Sequence, residues 1–173
     1  MLSILDIEKQ AAIQIADMAL EMGDRIAIHG FSSDTRAGVH YYHFLDFGHG
    51  LTQEVLEQLE RVEGKYSTRM GAAIRHARSF FKNETTDQQV MIVMTDGAPA
   101  DIDVFDPDYL VSDTARAVKE TTQAEVFGLV MDAGASDYAK QIFGVSRYRM
   151  ILHAEKLTHH LVSVYSQLRS QAQ

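Results

Sequence analysis

Between residues 5 and 22 the polar positions Asp6, Lys9, Gln10, Gln14, Asp17 and Glu21 fall on one helical stripe, and Ile7, Ala11, Ile15, Met18, Ala19 and Met22 occupy the other faces. This spacing predicts a mostly buried helix with a narrow wet edge. Gly23 is a natural stop for it, and residues 25–31 read as a short buried strand that ends in the polar turn Ser32-Ser33-Asp34. A second strand is expected over 39–47, rich in Tyr and Phe, and a short helix over 54–59. From Met70 onward, Met70, Ala73, Ile74, Ala77, Phe80 and Phe81 recur at helical spacing directly after Ser67-Thr68-Arg69. Residues 89–95 and 125–131 are continuous apolar strands, separated by a helix over 112–122 with Ser112 or Asp113 as its cap. A short helix over 138–143 and a strand over 148–152 follow. The last helix carries Leu157, Leu161, Val164, Tyr165 and Leu168 on one face.

Apolar strands alternating with amphipathic helices indicate an α/β fold: a Rossmann-like, doubly wound, mostly parallel sheet with helices on both faces. With 173 residues, 46% of them hydrophobic, the chain has the length and apolar content for a single domain over 1–173. In such sheets ligands bind outside the carboxyl ends of the strands, where strand order reverses.

Charge narrows the chemistry. A formal net charge of −8 argues against nonspecific nucleic-acid binding and against an anionic membrane surface; a cation or a basic partner fits better. No cysteine is present, so thiolate metal sites and disulfides are excluded, which suits a reducing cytoplasm. Asp6, Glu8 and Lys9 interrupt the first apolar stretch, and no apolar run reaches the roughly 18 residues of a membrane span, so neither a signal peptide nor membrane insertion is expected.

The acidic segment after the expected strand 89–95 starts at a strand's carboxyl end, which makes Asp96 the first site candidate. In Met94-Thr95-Asp96-Gly97 the carboxylate either caps a turn or ligates a hard cation, Mg²⁺ or Mn²⁺, together with hydroxyl and water oxygens. Thr68 is its natural oxygen partner from a neighbouring loop, the competing reading being an ordinary helix N-cap. Asp101, Asp103, Asp106 and Asp108 do not make an EF-hand, because the fifth and sixth positions hold Phe105 and Asp106. They read as a solvated acidic loop, with Asp101-Ile-Asp103 also spaced like the carboxylate pair of a Mg²⁺-dependent hydrolase. His40 and His43 sit on opposite faces of one strand and His159 and His160 diverge on a helix, so all four read as packing or surface residues. No P-loop, dinucleotide motif or Ser-His-Asp order is present.

Three blocks carry a family resemblance: Ser67-Thr68-Arg69-Met70-Gly71-Ala72-Ala73-Ile74-Arg75-His76-Ala77, then Met94-Thr95-Asp96-Gly97 with Asp101-Ile-Asp103, then Asp113-Thr114-Ala115-Arg116-Ala117-Val118. Together they resemble a von Willebrand factor A domain, more narrowly the C-terminal domain of NorD and CbbO proteins, and the similarity continues through Ile142-Phe143-Gly144 to the last helix. The run from Asp103 to Leu110 looks closer to the CbbO branch.

The resemblance implies a metal-ion-dependent adhesion site, in which Thr68 matches the family's second ligand loop and Asp96 its third, with Ser67, Asp101 and Asp103 as second-shell or rim residues. The family's first element, an Asp-x-Ser-x-Ser loop after a central strand, is missing from this sequence, which opens inside the family's first helix. Open strand edges are then expected, at roughly 1–3 kcal/mol for each buried unpaired backbone group. The chain should pair those edges with another chain, itself included, close the gap, or fold only marginally. The resemblance also implies a non-catalytic adaptor of a hexameric MoxR-type AAA+ ATPase, directed at Rubisco for CbbO-like proteins and at nitric oxide reductase for NorD-like ones. The rival is a Mg²⁺-dependent hydrolase built on Asp96 and the Asp101/Asp103 pair.

With Thr68 and Asp96 as the only protein ligands, Mg²⁺ should bind weakly. Calorimetric titration is expected to give no tight, stoichiometric isotherm, and finding one would contradict the two-ligand reading.

Overall fold

Ser3 opens the first helix with a reciprocal cap: its hydroxyl accepts from the Asp6 amide at 3.1 Å, and the Asp6 carboxylate accepts from the Ser3 amide at 3.2 Å. This helix, α1 (Ile4–Glu21), stops where predicted, with Gly23 at φ +81° and the Asp24 N–H turned back onto the Ala19 carbonyl. The structure is a computed structural model and describes residues 2–34, 38–64 and 68–171.

After α1 come β1 (Ile28–Ser33), β2 (Val39–Leu45), α2 (Gln53–Glu60) and α3 (Met70–Ala77), the last continued by a 3-10 turn over Arg78–Asn83. Then follow β3 (Val90–Thr95), α4 (Pro107–Glu120), β4 (Glu125–Val130), α5 (Ser136–Phe143), β5 (Tyr148–Met150) and α6 (Leu157–Ser170). No helix among the described residues is long and apolar enough to cross a membrane.

Two of the boundary differences from the sequence reading change residue roles. Ser32 and Ser33 extend β1 instead of turning, and both are buried. Helix α4 starts at Pro107, not at Ser112, because Asp106 caps it by accepting from the Asp108 and Tyr109 amides and Pro107 takes the first helical position. Asp106 is thus a cap rather than a solvated loop charge.

The α/β fold is as expected, but the strands form two sheets. β3, β4 and β5 pair in parallel in that order, with Val90–Thr95 in register with Glu125–Val130, while β1 and β2 form a separate antiparallel pair. One face of the parallel sheet is covered by Met70, Ile74, Val111, Ala117, Ile142 and Phe143 from α3, α4 and α5. The other is covered by Ala11, Ile15, Leu157, Leu161, Val164 and Leu168 from α1 and α6. Gly128 lets α5 approach: a Cβ there would stand 2.4 Å from the Phe143 ring.

Between β1 and β3 lies a cleft of about 1330 Å³, lined on one side by Ile28–Ser32 and on the other by Val90–Thr95. The expectation that the chain closes this gap is therefore corrected. The reason is packing: Phe31 is set against the first core, and Ile26 against the second with Val90, Ile92 and Met94. Sliding β1 onto β3 would pull side chains out of both cores.

The ladder shows which groups this leaves unpaired. The Glu125 and Met131 amides bond the carbonyls of Gln89 and Thr95, so the odd-numbered residues of β3 face β4. Val90, Ile92 and Met94 then turn their amides and carbonyls to the cleft. In hydrogen exchange followed by NMR, the Ile92 and Met94 amides are expected to exchange about tenfold or more faster than those of Met91 and Val93. Equal protection along β3 would show that the edge is paired.

Candidate functional site

Two loops meet at the carboxyl end of β3. The backbone of Thr68 is tied to the loop after β3 by the Ala100 N–H, which donates to the Thr68 carbonyl at 3.0 Å, and the Met70 N–H donates to the same oxygen at 3.0 Å. Beside this bond, Arg69 Nε faces Asp101 Oδ2 at 3.5 Å. The Asp101 side chain is fully buried there, so it lies under the loop and not on its rim. Its Oδ1 accepts the Asp103 N–H at 3.4 Å, and Asp103 itself is exposed. Ser67 lies outside the described residues.

A glycine permits α3 to carry this loop close to α4. A Cβ at Gly71 would lie 2.4 Å from Asp113 Oδ2. That carboxylate is held by Arg75, with Nη2 2.9 Å from Oδ1 and Nη1 3.1 Å from Oδ2, and Arg75 Nε reaches Glu120 at 3.2 Å. Asp113 and Glu120 therefore clamp α4 to α3 and keep the Thr68 loop in place.

Neither of the ordinary roles weighed for Asp96 and Thr68 is filled by them. The turn after β3 is closed by Thr95, whose hydroxyl donates to the Gly97 carbonyl at 2.8 Å and accepts the Gly97 N–H at 3.3 Å. Asp96 is exposed and takes no hydrogen bond among the described residues. Helix α3 has Arg69 at its cap position and no side-chain cap, and the Thr68 hydroxyl likewise takes no hydrogen bond among the described residues. Both residues line the cleft between β1 and β3. Asp132, after β4, is by contrast fully engaged: it accepts the Gly134 N–H at 2.9 Å and the Tyr138 hydroxyl at 3.0 Å.

The sequence reading did not single out Glu8, which lines the same cleft. The signal was readable, since Glu8 shares a helix face with the buried Ala12, Ile15 and Ala19 and not with the wet stripe. Burial, and then the negative charge of Asp96, push its carboxyl up to about 7. Asp96 also contributes, after burial and Asp132, to holding the Tyr138 phenol above its ordinary value. Glu8, Thr68 and Asp96 thus bring two carboxylates and a hydroxyl, all hard oxygens, to one cleft, a donor set that suits Mg²⁺ or Mn²⁺ in kind and leaves further positions to water or a partner.

A different cluster gathers on the β1–β2 pair, where one ligand atom each from His29, His43 and Asp46 lies within 4.8 Å of the others. The reading of His43 as packing or surface missed it, because its neighbour is the cross-strand His29 and not His40, which pairs with Asp34 at 2.9 Å.

Comparison with known proteins agrees with this architecture. The family described as von Willebrand factor type A domain matches residues 5–165. The chain is 30% identical over 167 residues to protein NorD of Brucella melitensis, covering 95% of this chain and 26% of that protein. It is 30% identical over 150 residues to protein NorD of Stutzerimonas stutzeri, covering 86% of this chain and 24% of that one. The chain thus spans about a quarter of the length of these relatives. Among solved structures, proximal thread matrix protein 1 from the mussel byssus superposes with a TM-score of 0.64 at 16% identity, over 93% of this chain and 42% of that one. A second form of that protein is described with a zinc-occupied MIDAS motif, MIDAS being the metal-ion-dependent adhesion site. An aerotolerance-related membrane protein from Bacteroides fragilis superposes with a TM-score of 0.62 at 14% identity, over 94% of this chain and 88% of that one. At such identities the solved structures establish the fold alone.

The Glu8 carboxyl gives a signed pH dependence. Its folded pKa of about 7 lies above the unfolded value near 4.5, so the folded chain binds the extra proton and stability falls as pH rises through that window. The penalty is absent below about 4.5 and complete above about 7, on the order of 3 kcal/mol. Urea midpoints are expected to drop between pH 5 and pH 8, and Glu8→Gln should remove that share of the drop. An unchanged pH profile in Glu8→Gln would show that the carboxyl titrates normally.

Proposed function

Because the chain belongs to the von Willebrand factor type A domain family, we propose that it is a non-catalytic protein-binding domain whose contact with a partner is completed by a divalent cation. The observation that carries this is the pair of free oxygens: the Thr68 hydroxyl and the Asp96 carboxylate face one cleft from loops tied together by the Ala100–Thr68 bond, with no internal partner among the described residues. Mg²⁺, or Mn²⁺, would be held by Thr68 and Asp96, with Glu8 beside them. A cation held there would supply a Lewis-acid contact for a carboxylate of the partner. Thr68 and Asp96 would orient it, and the half-buried Glu8 would add a negative charge once it gives up the proton that burial makes it hold.

At the level of the whole protein, the NorD relatives support the NorD-like reading; in that reading, which takes its role from the family resemblance, the protein would be an adaptor that directs a MoxR-type AAA+ ATPase in the cytoplasm toward nitric oxide reductase. ATP hydrolysis would belong to the ATPase. The CbbO-like alternative, with Rubisco as target, rests on the run from Asp103 to Leu110 alone.

Asp96 is exposed, so its removal leaves the fold intact. In pull-downs with the cognate ATPase and its target, Asp96→Ala is expected to weaken capture about tenfold or more, as does chelation of Mg²⁺ in the unaltered chain. Mg²⁺-dependent phosphatase turnover abolished by the same substitution, with capture unchanged, would contradict the reading in favour of a hydrolase.

A further inference from the structure

The antiparallel register of β1 and β2 sets His29 directly opposite His43, so their imidazoles leave the same face of the pair. Asp46, one residue beyond β2, brings its carboxylate between them. His29 Nε2 lies 2.8 Å and His43 Nδ1 2.9 Å from the same oxygen, Asp46 Oδ1. Two nitrogens converging on one carboxylate oxygen give three donor atoms the separation from which a metal site closes: in a tetrahedral zinc site neighbouring ligand atoms stand about 3.4 Å apart.

The surroundings favour this. On its far side, His29 Nδ1 is 2.8 Å from the Tyr41 hydroxyl, the kind of second hydrogen bond that fixes the tautomer and orientation of a metal-bound imidazole. Phe80 closes the apolar side, its ring centre 5.0 Å from that of His29 and 4.9 Å from that of His43.

We propose that His29, His43 and Asp46 form a second metal site, for a late first-row divalent ion with Zn²⁺ as the occupant, its fourth position open to water. A two-imidazole, one-carboxylate set prefers Zn²⁺, Co²⁺, Ni²⁺ or Cu²⁺ to Mg²⁺, which favours all-oxygen ligands. The site shares no residue with Glu8, Thr68 and Asp96. It joins β1 to the end of β2, and so braces the wall of the cleft that β3 does not support.

The test is titration of the chelator-treated chain with Zn²⁺ by calorimetry and with Co²⁺ by visible absorption. His43 and Asp46 are both exposed, so His43→Ala and Asp46→Asn retain the fold, which far-UV circular dichroism verifies. The unaltered chain is expected to bind Zn²⁺ saturably with a visible tetrahedral Co²⁺ band. Each variant should lose about tenfold or more in Zn²⁺ affinity together with that band, while Asp96→Ala retains both. Absence of saturable binding, binding unchanged in both variants, or binding lost only in Asp96→Ala would each overturn the proposal.

Discussion

The parallel ladder between β3 and β4 is the constraint on which the rest depends. Its six-residue register fixes the height at which both strands end, and so places Asp96 and Asp132 at one edge of the sheet. The same strands present apolar side chains to both faces, which is why helices cover each side and why two cores form. β1 takes no part in this ladder, yet Phe31 on it and Ile26 just before it are each committed to one of the two cores, and the cleft beside β3 follows from that conflict.

Carboxylates surround the ladder, and the structure sorts them. Asp106 caps α4, Asp113 and Glu120 are held by Arg75, Asp101 is buried against Arg69, and Asp132 accepts from Gly134 and Tyr138. Each such carboxylate has a donor or a cation to stabilise it. Asp96 has none among the described residues, and burial, with the charge of Asp96 second, makes the half-buried Glu8 hold its proton well above the ordinary carboxyl range. A cation near the two relieves both burial and repulsion, so the electrostatics and the coordination chemistry point the same way. The His29 cluster answers to a different chemistry, nitrogen donors on a hairpin, and the two sites would sort cations by hardness.

What could be read from the sequence was what local spacing encodes. The apolar runs of β3 and β4, the stripe on α1 and the glycine after it all led to elements that the structure contains. The Asp106-Pro107 start of α4 was equally local, a cap followed by a proline, and was overlooked because the acidic run drew the reading toward a loop. Asp96 and Thr68 could be named because strand ends and helix starts are visible in the chain. That neither takes a hydrogen bond among the described residues was not: for Asp96 it depends on Thr95 closing the turn, and for Thr68 on Arg69 taking the cap position of α3. The pairing of His29 with His43 was out of reach for a further reason: cross-strand register depends on which strands pair and how, and spacing along one strand placed His43 only against His40.

The central claim is that a hard cation binds between Thr68 and Asp96. Mn²⁺ added in small amounts to an isotopically labelled sample tests it most directly, because the paramagnetic ion broadens amide resonances by distance. The account predicts that broadening centres on Thr68, Asp96, Gly97 and Glu8, and that Asp96→Ala removes it. Broadening confined to the exposed loop around Asp103 and Asp108, or unaffected by Asp96→Ala, would contradict it.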